Sequence, residues 1–271
     1  MDQEARGRKG EARAYPLTAA SLTFGLIHLA ALGVFAFPFR PGLAWMALAL
    51  YLARMFGVTA GYHRYFSHRA YRLGRPAQFL LACLAQSSGQ KGVLWWAAHH
   101  RDHHRHSDGP GDVHSPVRDS FWWSHVGWIL SSRYDAVDPV RVRDLARYPE
   151  LRWLDRHHWV PALALALGAA AWAGPAGLAW WALSTVVLYH ATFSINSLAH
   201  VWGTRAFATP DRSRNNALLA LLTLGEGWHN NHHACPGASS HRVRWWEADP
   251  TQAGLRILSA LGVVRDLRGR A

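Results

Sequence analysis

The sequence predicts an all-α integral membrane fold: four membrane-spanning helices in two hairpins, under a cytoplasmic helical cap that gathers histidines around a two-metal site. Three observations predict it. Four stretches are apolar enough to cross a bilayer, they pair across tight connections, and the histidines cluster beside their ends.

Residues 17–37 and 176–199 each run about 20 residues without a charge, enough at about 1.5 Å per residue to cross a hydrocarbon core of about 30 Å. Residues 42–61 match them apart from Arg54, and 159–174 is shorter and needs its flanks or a tilt. The mean hydropathy of −0.09 averages these stretches against a centre crowded with His, Arg and Asp. The connections Pro38-Phe39-Arg40-Pro41 and Gly174-Pro175 close two helical hairpins. Arg6, Arg8, Lys9 and Arg13 precede the first, and the Arg-rich centre and C-terminus lie on that same side. The positive-inside rule therefore puts both termini and the centre in the cytoplasm, with the cell's inner membrane the expected location. The first apolar stretch is too long for a signal peptide and lacks a small-residue cleavage site, so no cleavable signal is expected.

The expected organisation is a polar tail over 1–14 and one membrane domain over 15–271, with cap segments at 62–158 and 200–271. Within the cap, 76–98 reads as a helix lying at the interface, its Trp95-Trp96 pair suited to the headgroup belt, and 121–128 as a second interfacial stretch. Residues 108–112 form a turn cluster.

Half of the 271 residues are apolar and 17% are charged, which excludes a disordered or fibrous chain. The net charge of +12 fits basic loops against anionic headgroups, and no nucleic-acid motif accompanies it. Two cysteines, Cys83 and Cys235, make no CxxC pair, so neither a thiolate zinc site nor a built-in iron–sulfur centre is expected, and any electrons come from outside the chain.

Eighteen histidines carry the chemistry. His100-Arg-Asp-His103-His104 and His229-Asn-Asn-His232-His233 repeat one spacing, HxxHH, which on a helix shares one face and is expected to aim three imidazoles at a common point. Two such faces suit two metals. His63 and His68 are five apart and face one ion only if the helix ends or unwinds there. His200 closes the last apolar stretch with Asn196 one turn before it, placed to hold a metal-bound water. Imidazole suits Zn, Cu, Fe and Ni, so spacing does not choose the metal. His28, His125, His157, His158, His190 and His241 read as interfacial or hydrogen-bonded residues.

These segments resemble the three histidine boxes of the membrane fatty-acyl desaturases, stearoyl-CoA desaturase type. GVTAGYHRYFSHRAY, SHVGW, INSLAH and GEGWHNNHH follow that family's landmarks in order, from the second span to about residue 240. The resemblance implies two irons at the junction of cap and membrane, O2 as co-substrate, and a narrow tunnel for a bent acyl chain. The implied metal ligands are His63, His68, His100, His103, His104, His200, His229, His232 and His233. Asn196 is implied to reach the metals through water, and Glu226 to orient the third box. Asp112 and His114 fall in a cap segment with supporting or headgroup roles, and Tyr51 and Met55 are expected at the tunnel end. His99 stands where an acidic residue often precedes the second box, and Asn231 where the third box commonly has Tyr. The implied reaction is insertion of a cis double bond into a saturated acyl chain, acyl-CoA at the delta-9 position being favoured. Membrane lipids, a separate ferredoxin-like electron donor and its reductase are the implied partners. The alternatives are a hydroxylase or oxidase on the same framework, and a non-enzymatic metal carrier in the membrane.

Overall fold

The computed structural model describes residues 18–270, and the tail expected over 1–14 lies outside them. Among the described residues, three helices are long and apolar enough to cross a membrane: Ala19–Ala36, Pro41–Ser67 and Val160–His200. The first contains α1 (Ala19–Leu32), started by Thr18 and Ser21, whose side chains each accept the other's backbone N–H. The second contains α2 (Pro41–Phe56), which opens on Pro41 at the position where a missing N–H costs nothing.

α2 runs directly into a π-helix, Gly57–Ser67. Its wider turn ends with the His68 N–H donating to the His63 carbonyl at 3.2 Å, five residues back, so the two side chains come to one side of the chain. This is the unwinding that the five-residue spacing of His63 and His68 requires. A two-residue strand, β1 (Arg72–Leu73), then pairs antiparallel with β2 (Val264–Arg265) and ties the C-terminal segment to the end of α2.

The expected single interfacial helix over 76–98 is instead two helices, α3 (Arg75–Gln86), buried along one face, and α4 (Val93–His106), buried over most of its length, separated by a turn with left-handed Gly89. Trp95 does not reach a headgroup belt. It is buried with Trp123 and Trp128 and its indole N–H donates to the Tyr134 carbonyl at 2.6 Å. α5 (Pro149–Arg156) follows and leads into α6 (Val160–Asn196).

α6 is broken at Ala173 and Gly174, where the backbone leaves helical values (Gly174 φ 61°), just before Pro175. The two limbs fold back on each other. A Cβ on Gly177 would stand 2.1 Å from the carbonyl oxygen of Ala169, eight residues earlier, whereas eight residues of unbroken helix cover about 12 Å. Ala166 and Ala169 of the first limb pack with Trp181 and Ala182 of the second. The remaining elements are short: α7 (Ala217–Leu222), α8 (His229–Ala234) and α9 (Pro250–Ala260).

The charge that interrupts the second span is internal. Arg54 is fully buried and bridges α2 to the second limb of α6, its guanidinium donating to the hydroxyls of Thr185 (2.7 Å) and Ser184. Buried polar groups persist when hydrogen-bonded, and here the bonds fasten one hairpin to the other.

Because Gly177 admits no side chain, Gly177→Val forces the limbs apart. The expected cost is roughly 1–3 kcal/mol of overpacking, read as a lower unfolding temperature in detergent; an unchanged temperature would contradict the fold-back.

Candidate metal centre

The histidine segments converge in two buried groups. His63, His68, His100, His104 and His232 form one, and His103, His200, His229 and His233 the other, with one ligand atom of each within 4.8 Å of every other in its group. All nine expected ligands are present in these groups. The expectation that each HxxHH segment aims at a single point is corrected: each box is divided between the two. On an α-helix, residues i and i+4 lie about 40° apart, while i+3 stands about 60° to the other side of i. Accordingly His100 and His104 join the first group and His103 the second, whereas His229 and His233 join the second and His232 the first. Each box supplies a pair of imidazoles to one group and a single imidazole to the other.

In the first group, Nε2 atoms approach in series: His63 to His232 at 2.9 Å, His232 to His104 at 2.9 Å, His104 to His100 at 3.1 Å and His100 to His68 at 2.8 Å. In the second, Nε2 of His229 is 3.1 Å from those of both His200 and His233. Metal–imidazole bonds of about 2.0–2.1 Å at right angles put neighbouring nitrogens about 3 Å apart, so both groups fit an ion at the centre.

Carboxylates set the tautomers. The Nδ1–H of His103 donates to Asp112 (3.0 Å), that of His200 to Asp108 (2.9 Å), that of His233 to Asp211 (2.8 Å), and that of His63 to Glu226. With the proton on Nδ1, the Nε2 lone pairs of His103, His200 and His233 point inward with at most the one N–H of His229 to share. Facing lone pairs repel, and a cation relieves that repulsion.

The electrostatics agree. Burial, and then neighbouring imidazoles, hold His100, His104, His229 and His232 well below the ordinary histidine range, and burial brings His233 down to about 4 despite its bond to Asp211. These rings are neutral, the form that binds metal. Burial alone would raise Asp108, but the hydrogen bonds it accepts from His200, Ser115 and the Arg212 backbone N–H bring it down to about 2. Asp112 and Asp211 are held low in the same way by His103 and His233.

Glu226 serves the first box, contrary to expectation. It pairs with His63 and receives the Arg64 guanidinium at 3.0 Å, while Arg64 also reaches Asp249 at 3.0 Å. Asp108 and Asp211 were not singled out by sequence reasoning. Their signal was an acid beside a turn in a basic cap: Asp108 has a left-handed backbone (φ 56°), and one of its oxygens accepts both the His200 ring and the Arg212 N–H (2.8 Å). His241, read as interfacial or hydrogen-bonded, is a buried residue whose backbone N–H donates to Asp249 at 2.9 Å, with its ring 4.5 Å from that of His232. His114 is buried and stacks on His103 at 4.4 Å, and His99 bonds to the Trp95 carbonyl outside both groups.

An apolar cavity of about 1010 Å³ leads to this centre, at the upper end of small-molecule pockets (about 300–1,000 Å³). Phe24, Ile27, Trp181, Tyr189 and Phe193 line it, as do His100, His114 and Asn196 beside the histidine groups. Tyr51 and Met55 are not among its lining residues: the Tyr51 hydroxyl donates to the Leu222 carbonyl at 2.5 Å, and Met55 is buried in the main core. Behind the wall, three imidazoles connect in series. Nε2 of His28 meets Nε2 of His190 at 3.0 Å, Nδ1 of His190 meets Nε2 of His125 at 3.0 Å, and Nδ1 of His125 meets the Ser197 hydroxyl at 2.9 Å. Ser124 donates to the Asn196 carbonyl at 2.8 Å, so the SHVGW segment grips the end of α6 that presents His200.

Two predictions follow from the ligand geometry. Asp211→Asn removes the negative acceptor of His233 and should weaken metal affinity by about 10- to 100-fold, measured by metal retention against a chelator. Neutral buried imidazoles also set a pH limit on the metal-free protein. Their folded pKa values lie below the unfolded value of about 6.5, so the unfolded chain binds more protons as pH falls. Stability is full above about 6.5 and declines below it toward the depressed folded values. Denaturant melts of the metal-free protein from pH 8 to pH 5 should show that decline, and a flat or rising profile would contradict it.

The fatty acid desaturase family model matches residues 41–257. The chain is 34% identical over 263 residues to a palmitoyl-monogalactosyldiacylglycerol delta-7 desaturase of Arabidopsis thaliana, covering 95% of this chain and 70% of that protein. It is 33% identical to an sn-1 stearoyl-lipid 9-desaturase of Anabaena variabilis, with 92% of each covered. A probable acyl-CoA desaturase of Schizosaccharomyces pombe is 36% identical, over 91% of this chain and 53% of that one. With its histidine boxes folded into two groups able to hold a metal, this chain belongs to the fatty acid desaturase family, a family of membrane oxidoreductases.

Proposed function

We propose that the chain is a di-iron, O2-dependent desaturase that places a cis double bond in a saturated fatty-acyl chain. The observation that carries this reading is the continuity of the apolar cavity with His100 and Asn196: an alkyl chain lying in it presents its methylenes to the imidazole cluster. His63, His68, His100, His104 and His232 would hold one iron and His103, His200, His229 and His233 the other, with Asn196 contributing through water.

When bound there, iron supplies the O2-dependent oxidising power. In balance, –CH2–CH2–, O2, two electrons and two protons give –CH=CH– and two waters. The chain's own part is placement and exclusion. Phe193 and Tyr189 hold the alkyl chain, Trp95 and Trp96 wall off water beside His100, and four carboxylates keep the imidazoles facing inward. The electrons enter from a separate carrier, for which a ferredoxin with its reductase is the reading, since Cys83 and Cys235 are both free and set apart.

The topology belongs to the same proposal. Counting the two limbs of α6 separately gives four spans in two hairpins, with 62–158 and 200–271 forming a cytoplasmic cap and both termini cytoplasmic. The membrane would be the cell's inner membrane. The 9-desaturase relatives favour the delta-9 position.

A desaturase-deficient host expressing the chain should gain cis-monounsaturated fatty acids by gas chromatography–mass spectrometry, and the His103→Ala control should lose them. Hydroxylated acids would instead favour the oxidase, and an unchanged profile with a competent donor would contradict the enzyme. Trp181 lies six residues past Pro175, toward the fold-back end of the second limb and away from His200, and lines the cavity, so Trp181→Ala should shift products toward longer chains with metal content unchanged. Unaltered chain lengths would place the end of the cavity elsewhere.

A further inference from the structure

We propose that His114, Trp128, Trp95 and Tyr134 form a redox relay that carries oxidising equivalents from the metal centre to the protein surface when no acyl chain is bound. The inference rests on the desaturase reading and adds a second activity to it, the reduction of O2 to water at the expense of these side chains. Its first ground is an unbroken series of ring contacts that starts on a proposed metal ligand. The His114 ring stacks on that of His103 with centroids 4.4 Å and planes 27° apart, and lies 4.8 Å from the Trp128 ring. Trp128 and Trp95 stack at 5.4 Å, 14° from parallel. Tyr134 completes the series: its ring is 6.3 Å from that of Trp128, and its carbonyl accepts the Trp95 indole N–H at 2.6 Å. Packing accounts for large rings at such distances. Tryptophan and tyrosine are also the aromatic side chains that give up an electron most readily, and beyond His114 the series consists of them.

The second ground is where the two ends lie. His114, Trp128 and Trp95 line the apolar cavity together with His100 and Asn196, so an oxidant made there with the cavity empty meets indoles in place of methylenes. At the other end, Tyr134 is half-buried between exposed Arg133 and Asp135, whereas His114, Trp128 and Trp95 are buried. Burial raises the Tyr134 phenol above its ordinary range, so at neutral pH it holds the proton that its oxidation releases to water. The Lys91 ammonium, 5.6 Å from the centre of the Trp95 ring, opposes a positive charge on that indole, and Asp135 offsets it from 2.7 Å.

The chemistry balances without an alkyl substrate. Reduction of O2 to two waters takes four electrons and four protons. Two of the electrons come from the ferrous pair as it becomes diferric, one from Tyr134 and one from the Trp95–Trp128 pair. Tyr134 yields one proton, and solvent supplies the other three. The separate one-electron carrier of the desaturase cycle then returns one electron to each oxidised side chain and two to the irons, and Tyr134 takes its proton back from water. Such a relay spares the ligands and the cavity walls from an oxidant that has no substrate to consume it.

The test mixes the anaerobically reduced, iron-loaded enzyme with O2 and follows it by freeze-quench electron paramagnetic resonance. One sample has no acyl substrate, and the other has stearoyl groups supplied both as the coenzyme A thioester and as phosphatidylcholine. An organic radical is expected without substrate, and its loss with substrate. Ring-deuterated tyrosine, incorporated without altering the sequence, should narrow the tyrosyl part of the signal. Tyr134→Phe should remove that part with iron content and desaturation rate unchanged, and Trp128→Phe should remove it with Tyr134 still in place and iron content unchanged. A tyrosyl signal that survives either substitution, or a radical that deuterated tyrosine leaves unaltered, would overturn the relay. An enzyme that reacts with O2 and gives no radical would overturn it too and leave the desaturase reading standing, whereas one that neither reacts with O2 nor desaturates would overturn both.

Discussion

The structure depends on a repeated contact, a carboxylate receiving the Nδ1–H of a buried imidazole. Asp112, Asp108, Asp211 and Glu226 make it with His103, His200, His233 and His63, and each contact fixes a tautomer. Once the proton is held on Nδ1, Nε2 can only present a lone pair, and several such lone pairs within about 3 Å of a neighbour are unfavourable without a cation between them. The carboxylates come from distant parts of the chain: the turn after α4, the loop after α6 and the segment before α8. These segments have to fold together around the histidine groups because the tautomers are set by residues that no single helix contains.

That requirement explains the path of the chain. A continuous α-helix cannot bring His63 and His68 together, and the π-helix that ends α2 can. α6 cannot run on into the cap, because Asn196 and His200 have to turn toward the centre, and Ser124 and His125 hold its end while it turns. Arg54, Ser184 and Thr185 join the hairpins beside the cavity, which Thr185 lines, so the cavity walls and the helices that carry the histidine groups are packed together.

Much of this was legible in the sequence. Charge-free runs disclose membrane-length helices, and HxxHH discloses a ligand-bearing helix because both are local properties. The division of each box between two groups was also latent in the spacing, since 40° and 60° offsets cannot point to one place. What was not legible is whatever depends on chains meeting at a distance. Glu226 sits three residues before the third box yet serves His63, and Asp108 and Asp211 looked like turn residues. Trp95 and His241 have interfacial compositions and buried positions, because tertiary packing outweighs the preference of a single residue. Tyr51 and Met55 share a span with His63, but the cavity runs along α1 and α6 instead, a choice made by helix packing rather than by sequence proximity.

The central claim is that two ions sit in two groups that share both HxxHH boxes. Anomalous-scattering maps of crystals of the iron-loaded enzyme, recorded on either side of the iron absorption edge, test it most directly. Two peaks are predicted, one enclosed by His63, His68, His100, His104 and His232, the other by His103, His200, His229 and His233. A single peak, or one held by His63, Glu226 and His241, would contradict the account.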